Sequence, residues 1–314
     1  MKRILLLGAN GQVGFELARM LPPLGDLICA TRNGSAGVAP CEHADLADVD
    51  STMDLLERVA PDVIVNAAAW TAVDRAEDEP EAALQLNARL PSLLGAWASN
   101  AGAAVLHYST DYVFNGQGDR PWREDDATAP LGVYGQSKLA GEQALAGSGC
   151  RHLILRTAWV YAARGHNFLL TMLRLARQRD ELRVVADQTG SPTPAPLIAA
   201  ATAAILARWL ALADEAQRAR SGVYHLSSAG SCTWHQFAET IFERAEACEL
   251  IARRPTVQAI GSNEFPTPAQ RPSWSVLDNT RLRETFDVAL PDWQLGLDRV
   301  LSDLAACTQT TTEN

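Results

Sequence analysis

The chain has 314 residues, 47% of them hydrophobic and 20% charged, with 27 Lys and Arg against 37 Asp and Glu for a net charge of −10. That much apolar sequence fills a core and excludes a largely disordered chain. The acidic balance excludes a general binder of nucleic acid or anionic membrane, since such partners reward clustered Lys and Arg.

In chain order, Ile4–Leu7 is a short apolar run of the kind found in a strand buried on both faces. Val13, Leu17, Met20 and Leu21 then recur at helical spacing until Pro22-Pro23. Leu27–Ala30 is the next strand, and a third precedes Asp45-Leu46. Leu55, Leu56 and Val59 lie on a helix closed by Pro61, Val63–Val65 is a strand, and Pro91–Ala101 is a helix opened by proline. Val105–Tyr108 is a strand, Gly135–Leu145 a helix and Leu153–Leu155 a strand. Strands separated by helices imply parallel pairing with right-handed crossovers, hence a doubly wound α/β sheet.

After about residue 160 the pattern loosens, with prolines at 192, 194, 196, 266, 268 and 272. Between them lie an Ala-rich helix (Ala199–Leu212), a strand (Val223–Leu226) and a helix (Trp234–Cys248). The expected division is a cofactor domain over 1–160, rejoined by a segment of about 197–228, and a smaller C-terminal substrate lobe over 161–314. The polar tail Thr308–Asn314 is expected to fray. The apolar N-terminal stretch is too short for a signal-peptide core, and the run Ala195–Ala207 is too short to span a membrane, so a soluble, cytoplasmic protein is expected. The six cysteines, at 29, 41, 150, 232, 248 and 307, form no C-x-x-C pair and read as reduced thiols.

Gly8-Ala9-Asn10-Gly11-Gln12-Val13-Gly14 joins the first strand to the first helix. Glycines at this spacing permit a tight turn and close approach of a pyrophosphate to a helix N-terminus, which points to a dinucleotide. The second strand ends Ala30-Thr31-Arg32, without the carboxylate that would bind a ribose 2′-hydroxyl. Arg32 either pairs with a 2′-phosphate, which favours NADPH over NADH, or is a solvated loop arginine. Asp45, beside Leu46, could accept from the adenine amine, and the small residues of Asn66-Ala67-Ala68-Ala69 would let the cofactor cross the strand ends. Tyr134 and Lys138 are four apart on a helix and share a face. An ammonium there would lower the tyrosine pKa and make it a usable proton donor. Thr110, on the strand ending Tyr108-Ser109-Thr110-Asp111, would hydrogen-bond the oxygen of a carbonyl being reduced. His235 and Glu239, at i,i+4, read as a partly exposed helix face, and Trp97, Trp209 and Trp293 as packing. Trp70 reads equally as cleft lining or core.

These segments together resemble an extended short-chain dehydrogenase/reductase of Rossmann type. More narrowly, the chain is similar to the dTDP-4-dehydrorhamnose reductase family through PDVIVNAAAWTAVD (61–74), HYSTDYVFN (107–115), VYGQSKLAGE (133–142), LRTAWVY (155–161), DQTGSPT (187–193), TWHQF (233–237) and TPAQRP (267–272). The resemblance implies reduction of the 4-keto group of dTDP-4-dehydro-L-rhamnose by NAD(P)H. It makes Tyr134 the proton donor, Lys138 its partner on the cofactor ribose, and Thr110, Asp111 and Trp159 the sugar contacts. It places Gly8, Gly11, Gln12, Val13 and Gly14 at the pyrophosphate, with Asp45 and Leu46 on the adenine side and Ala69 and Thr71 flanking the cofactor. Arg271 becomes a candidate for the substrate pyrophosphate. Members can also bridge subunits through Mg2+ held by glutamates. Glu16 keeps one such position, but Pro196 replaces another and offers no oxygen ligand, which weighs against a metal-bridged homodimer. Tyr112 stands where sugar dehydratases of the fold carry Glu. An epimerase and a non-catalytic NADP-binding regulatory subunit stay open as alternatives, the second disfavoured by the intact Thr110, Tyr134 and Lys138 set.

Overall fold

The computed structural model describes residues 1–36 and 39–312, with side chains described up to residue 306. The first half alternates as expected. Strand β1 (Arg3–Leu7) leads to helix α1 (Gln12–Met20), then β2 (Asp26–Thr31), β3 (Cys41–His43), α2 (Val49–Val59) and β4 (Val63–Asn66). Helices α3 (Val73–Asp78), α4 (Pro80–Leu84) and α5 (Leu90–Ala101) follow, with a π-helical turn over Gln85–Arg89, then β5 (Ala104–Thr110), α6 (Val133–Gly147) and β6 (Arg151–Thr157). The second half contains β7 (Val160–Tyr161), α7 (Phe168–Ala176), β8 (Glu181–Val185), β9 (Thr189–Gly190), β10 (Thr193–Pro194), α8 (Ala195–Leu210), α9 (Asp214–Ala219) and β11 (Gly222–His225). It ends with β12 (Cys232–Thr233), α10 (Trp234–Ala247), β13 (Thr256–Ile260), α11 (Thr280–Phe286) and α12 (Trp293–Thr312).

Seven parallel strands form the central sheet in the order β11-β6-β5-β4-β1-β2-β3. The order reverses at β1, where β4 and β2 lie on opposite sides. Outside the C-terminal ends of strands at such a reversal is where open α/β sheets bind ligands. The apolar run of β1 is explained by burial on both faces. Ile4 and Leu6 join Leu17, Ile198 and Trp209 on one side. Leu5 and Leu7 join Leu55, Leu90 and Leu145 on the other. The chain beyond residue 160 therefore contributes to the sheet twice, through β11 at its edge and α8 packed on α1. A separate core unites α7, α10 and α12 through Leu169, Phe237, Ile241 and Leu297.

Several boundaries shift from the sequence expectation. The Ala-rich helix starts at Ala195, not Ala199, because Pro196 lies in its first turn, where no intrahelical N–H is needed. Helix α6 starts at Val133, so Tyr134 sits in its first turn. The tail expected to fray is helical in its backbone to Thr312, since an existing helix extends by one hydrogen bond per added residue. Residues 313 and 314 lie outside the described residues. The thiols of Cys29, Cys41, Cys150, Cys232 and Cys248 are free, and the Cys307 side chain lies outside the described set. Among the described residues no helix is long and apolar enough to cross a membrane.

Candidate active site

The glycine turn sits at the C-terminal end of β1. Gly8 has φ +79°, and a Cβ on it would lie 2.7 Å from the Ala68 backbone nitrogen. A Cβ on Gly14 would lie 2.0 Å from the Gly8 carbonyl oxygen, so the first turn of α1 folds directly onto the loop. Gly11 caps α1 without a side-chain hydrogen bond, and the first turn carries no acidic residue. Open amide groups at a helix start, walled by glycine and the small residues after β4, fit a dinucleotide pyrophosphate. Gln12 Oε1 accepts from Asn167 Nδ2 at 2.7 Å, which brings the loop after β7 against the turn. In that loop the Arg164 guanidinium lies 3.6 Å from the Phe15 ring centroid. Val13 is half-buried against the core.

Arg32 is exposed in the turn after β2. Asp45 accepts from Ala47 N at 3.1 Å, while its own N–H donates to Ser51 Oγ at 3.0 Å. Leu46 and Ala69 are half-buried and Thr71 is exposed. These residues line the same sheet end as the glycine turn, following β2, β3 and β4.

Thr110 and Tyr134 come together, close enough for the Thr110 side chain to act on the Tyr134 phenol. Thr110 Oγ1 donates to Asp111 Oδ1 at 2.9 Å and accepts from Tyr112 N at 3.2 Å. The Tyr112 and Tyr134 rings meet edge to face at 5.6 Å. Tyr134 keeps part of its surface exposed. The sequence expectation that Lys138 lowers the Tyr134 pKa is corrected here. Burial pushes that phenol up, the neighbouring Thr110 opposes it, and Lys138 is not among the causes. The Lys138 amine, 2% exposed, instead donates to Tyr108 O at 2.5 Å and lies 3.3 Å from His107 Nε2. Burial brings Lys138 down to about 8. Asp111 is likewise 2% exposed, its carboxyl is pushed up to about 6 by burial, and its Oδ2 has no partner.

Sequence reasoning gave no role to His107, and took Asn66 only as a strand end, although the two are register partners on β4 and β5. Their pairing was the available signal. Asn87 also escaped notice. It accepts from Trp70 N at 2.9 Å and donates to Ser137 Oγ at 3.0 Å, tying α6 to the loop after β4.

On the sugar side, Trp159 has φ +45°, a strained value for a bulky residue, and stacks on Trp234 with ring centroids 3.4 Å apart. A Cβ at Gly190 would lie 2.4 Å from its ring, so only glycine leaves room there. Arg271 does not reach into the cleft unpaired. It donates to Asp74 Oδ2 at 2.7 Å, and its charge acts on the nearby Tyr112 phenol. It lines a cavity of about 520 Å³ with Asn115, Gln188, Asn263 and Phe265. A larger groove of about 830 Å³ lies beside α10 and β13 and holds none of the expected site residues. Glu16 is 9% exposed, its carboxyl raised by burial, with Arg19 at 3.7 Å. No group of metal-ligating side chains occurs among the described residues. His235 contacts Glu239 at 3.3 Å and the Val257 carbonyl at 3.2 Å, as a packed helix face would.

Comparison with known proteins places the chain among nucleotide-sugar reductases. A family model described as the RmlD substrate binding domain matches residues 1–306. A curated dTDP-4-dehydrorhamnose reductase of Shigella flexneri is 46% identical over 97% of this chain and 99% of its own length. That of Escherichia coli is 45% identical over the same shares. A crystal structure of the Bacillus anthracis dTDP-4-dehydrorhamnose reductase in complex with NADP superposes with a TM-score of 0.83 at 32% identity, covering 96% of this chain and 99% of that one.

Proposed function

The chain belongs to the dTDP-4-dehydrorhamnose reductase family, and from that premise we propose that it reduces the 4-keto group of dTDP-4-dehydro-β-L-rhamnose to give dTDP-L-rhamnose, with NADPH as the preferred cofactor and Tyr134 as proton donor. The nicotinamide cofactor, when bound, supplies the hydride. Gly11, Gln12 and Val13 would hold its pyrophosphate at the start of α1, and Arg32 a 2′-phosphate.

The observation that carries the proton assignment is the state of Tyr134. Its phenol lies beside Thr110 and is raised by burial, so it stays protonated at neutral pH. A protonated phenol is what reduction needs, because the carbonyl oxygen gains negative charge and must be given a proton. Thr110 steadies that oxygen by hydrogen bonding as charge develops. Asp111, whose buried Oδ2 has no protein partner, would accept from a sugar hydroxyl. Trp159 offers an apolar wall, and Arg271, held by Asp74, a positive charge toward the substrate diphosphate.

Loss of nicotinamide absorbance on adding dTDP-4-dehydrorhamnose, run separately with NADPH and NADH, tests the reading. Turnover with NADPH exceeding that with NADH is expected. Tyr134→Phe should lower kcat by about 10²–10⁴-fold while leaving dinucleotide binding unchanged. Wild-type turnover by that variant would remove Tyr134 from the role, and NADPH binding without turnover of the wild type would favour a regulatory subunit.

A further inference from the structure

His107 is buried among residues of the site, and its two ring nitrogens both have defined neighbours. Asn66 Oδ1 accepts from the Ala68 backbone N–H at 3.1 Å, which fixes the orientation of the amide. The Asn66 Nδ2 group therefore faces His107 Nδ1, at 3.0 Å. An amide nitrogen only donates, so Nδ1 must accept, and the single proton of a neutral ring then sits on Nε2. Nε2 points at Lys138 Nζ, 3.3 Å away. An ammonium has no lone pair to receive that proton, whereas an amine has one. The amine still keeps protons to donate to Tyr108 O.

We propose that His107 is a positioning residue for the ketoreductase site: locked in its Nε2–H tautomer by Asn66, it donates to Lys138 Nζ and poises that side chain between amine and ammonium. Composition supports the idea independently. Of the 27 basic residues only Lys2 and Lys138 are lysines. A chain that otherwise uses arginine keeps, at this one buried position, the basic group that can lose its proton. Burial lowers the Lys138 pKa and keeps His107 neutral, in accord with the hydrogen-bond pattern. Glu142, one turn along α6, works in the opposite direction, but it is held by Arg156 of β6 at 2.7 Å and 2.9 Å. Other ionisable groups on the elements packed around Lys138 include Tyr108 of β5, Asp111 and Tyr112 after it, Tyr134 in the first turn of α6, Asp74 and Glu77 of α3, the latter accepting from Val133 N, and Glu81 and Arg89, paired with each other. A lysine balanced in this way can release and regain a proton in each cycle, which a lysine fixed as a cation cannot.

The inference deepens the reductase reading and rests on it for the purpose of Lys138. Its deciding NMR readings need no substrate, so the two fail separately. Protein labelled with 13C at lysine Cε gives two lysine signals, assigned with Lys2→Arg. The Lys138 signal should titrate near 8. With 15N-labelled histidine, His107 should carry its proton on Nε2 and leave Nδ1 bare from about pH 6 to about pH 9. His107→Phe removes the donor without adding charge and should raise the Lys138 midpoint by about half a unit or more. The pH profile of kcat should move with it. A merely structural ring would leave the midpoint unchanged, and greater burial by phenylalanine would lower it, so either result overturns the proposal. A proton found on Nδ1 overturns it as well, and that wild-type reading decides alone if the variant does not fold.

Discussion

Removal from water drives the polar side chains around Tyr134 toward their uncharged forms. Burial raises Tyr134 and Asp111, and it lowers Lys138 and His107. For Asp111 this has a measurable cost. Its folded pKa of about 6 lies above the unfolded value near 3.8, so folding favours the protonated acid. Stability therefore falls as pH rises from about 4 to about 6, and the penalty is complete above that window. Asp111→Asn should stabilise the protein at pH 7 by about 2–3 kcal/mol, with the advantage shrinking to nothing below about pH 4. Urea denaturation across that range measures it, and an advantage independent of pH would refute the cause given. The same variant should weaken sugar binding. The sequence puts Tyr134 and Lys138 on one helix and Thr110 at a strand end, because i,i+4 spacing and a strand end are local facts. It misjudged the Tyr134 pKa because spacing does not say which acceptor an ammonium chooses. Here Tyr108 O, thirty residues away along the chain, takes it.

At the scale of elements, the glycine turn is where sequence and geometry agree most closely. Gly14→Ala would put a Cβ 2.0 Å from the Gly8 carbonyl oxygen, a backbone atom held by β1. The turn must then open, at a cost of about 1–3 kcal/mol or more, and dinucleotide affinity should fall by at least about tenfold. Gly147→Ala, at the end of α6 with nothing within 4 Å, is the control. It should be neutral or stabilising by about 0.5–1 kcal/mol. Thermal melts and NADPH titrations of both variants check the contrast, and equal effects would contradict it. The first-half elements are legible because β1, β2, β4, β5 and β6 are runs buried along most of their length, with the half-exposed β3 the exception. The later ones are not. Strands β7, β9, β10 and β12 have two residues each, too few for any periodicity. Strand β8 finds its partner β13 only after α8 and α10 have intervened, and three of the five β13 residues are exposed, so no local pattern announces the pair. The π-helical turn at Gln85–Arg89, which presents Asn87 to Ser137, also has no sequence signal of its own.

For the whole molecule, a boundary near residue 160 divides the sequence pattern but cuts through a shared core. Ile198, Ile205, Leu206 and Trp209 of α8 are fully buried in the cluster that contains Ile4, Leu6, Leu17 and Leu106. The Tyr108 hydroxyl and Thr202 Oγ1, 2.7 Å apart and buried, tie β5 to α8. Strand β11 covers the edge of β6, and Arg151 of β6 bonds Asp214 and Gln217. The site is shared in the same way, since Arg271 pairs with Asp74 and the Ala269 backbone N–H donates to the same carboxylate. A fragment of residues 1–160 would keep six sheet strands but leave one face without α8 and one edge without β11. Apolar surface of that extent and an unpaired edge favour aggregation over a stable monomer. The fragment is therefore expected to be insoluble or to bind a hydrophobic dye without a cooperative melt. The full chain should unfold in one calorimetric transition, with NADPH binding lost in that same transition. A soluble fragment that melts cooperatively and binds NADPH would show instead that the cofactor half folds alone, and that α8 and β11 are docked onto a finished sheet.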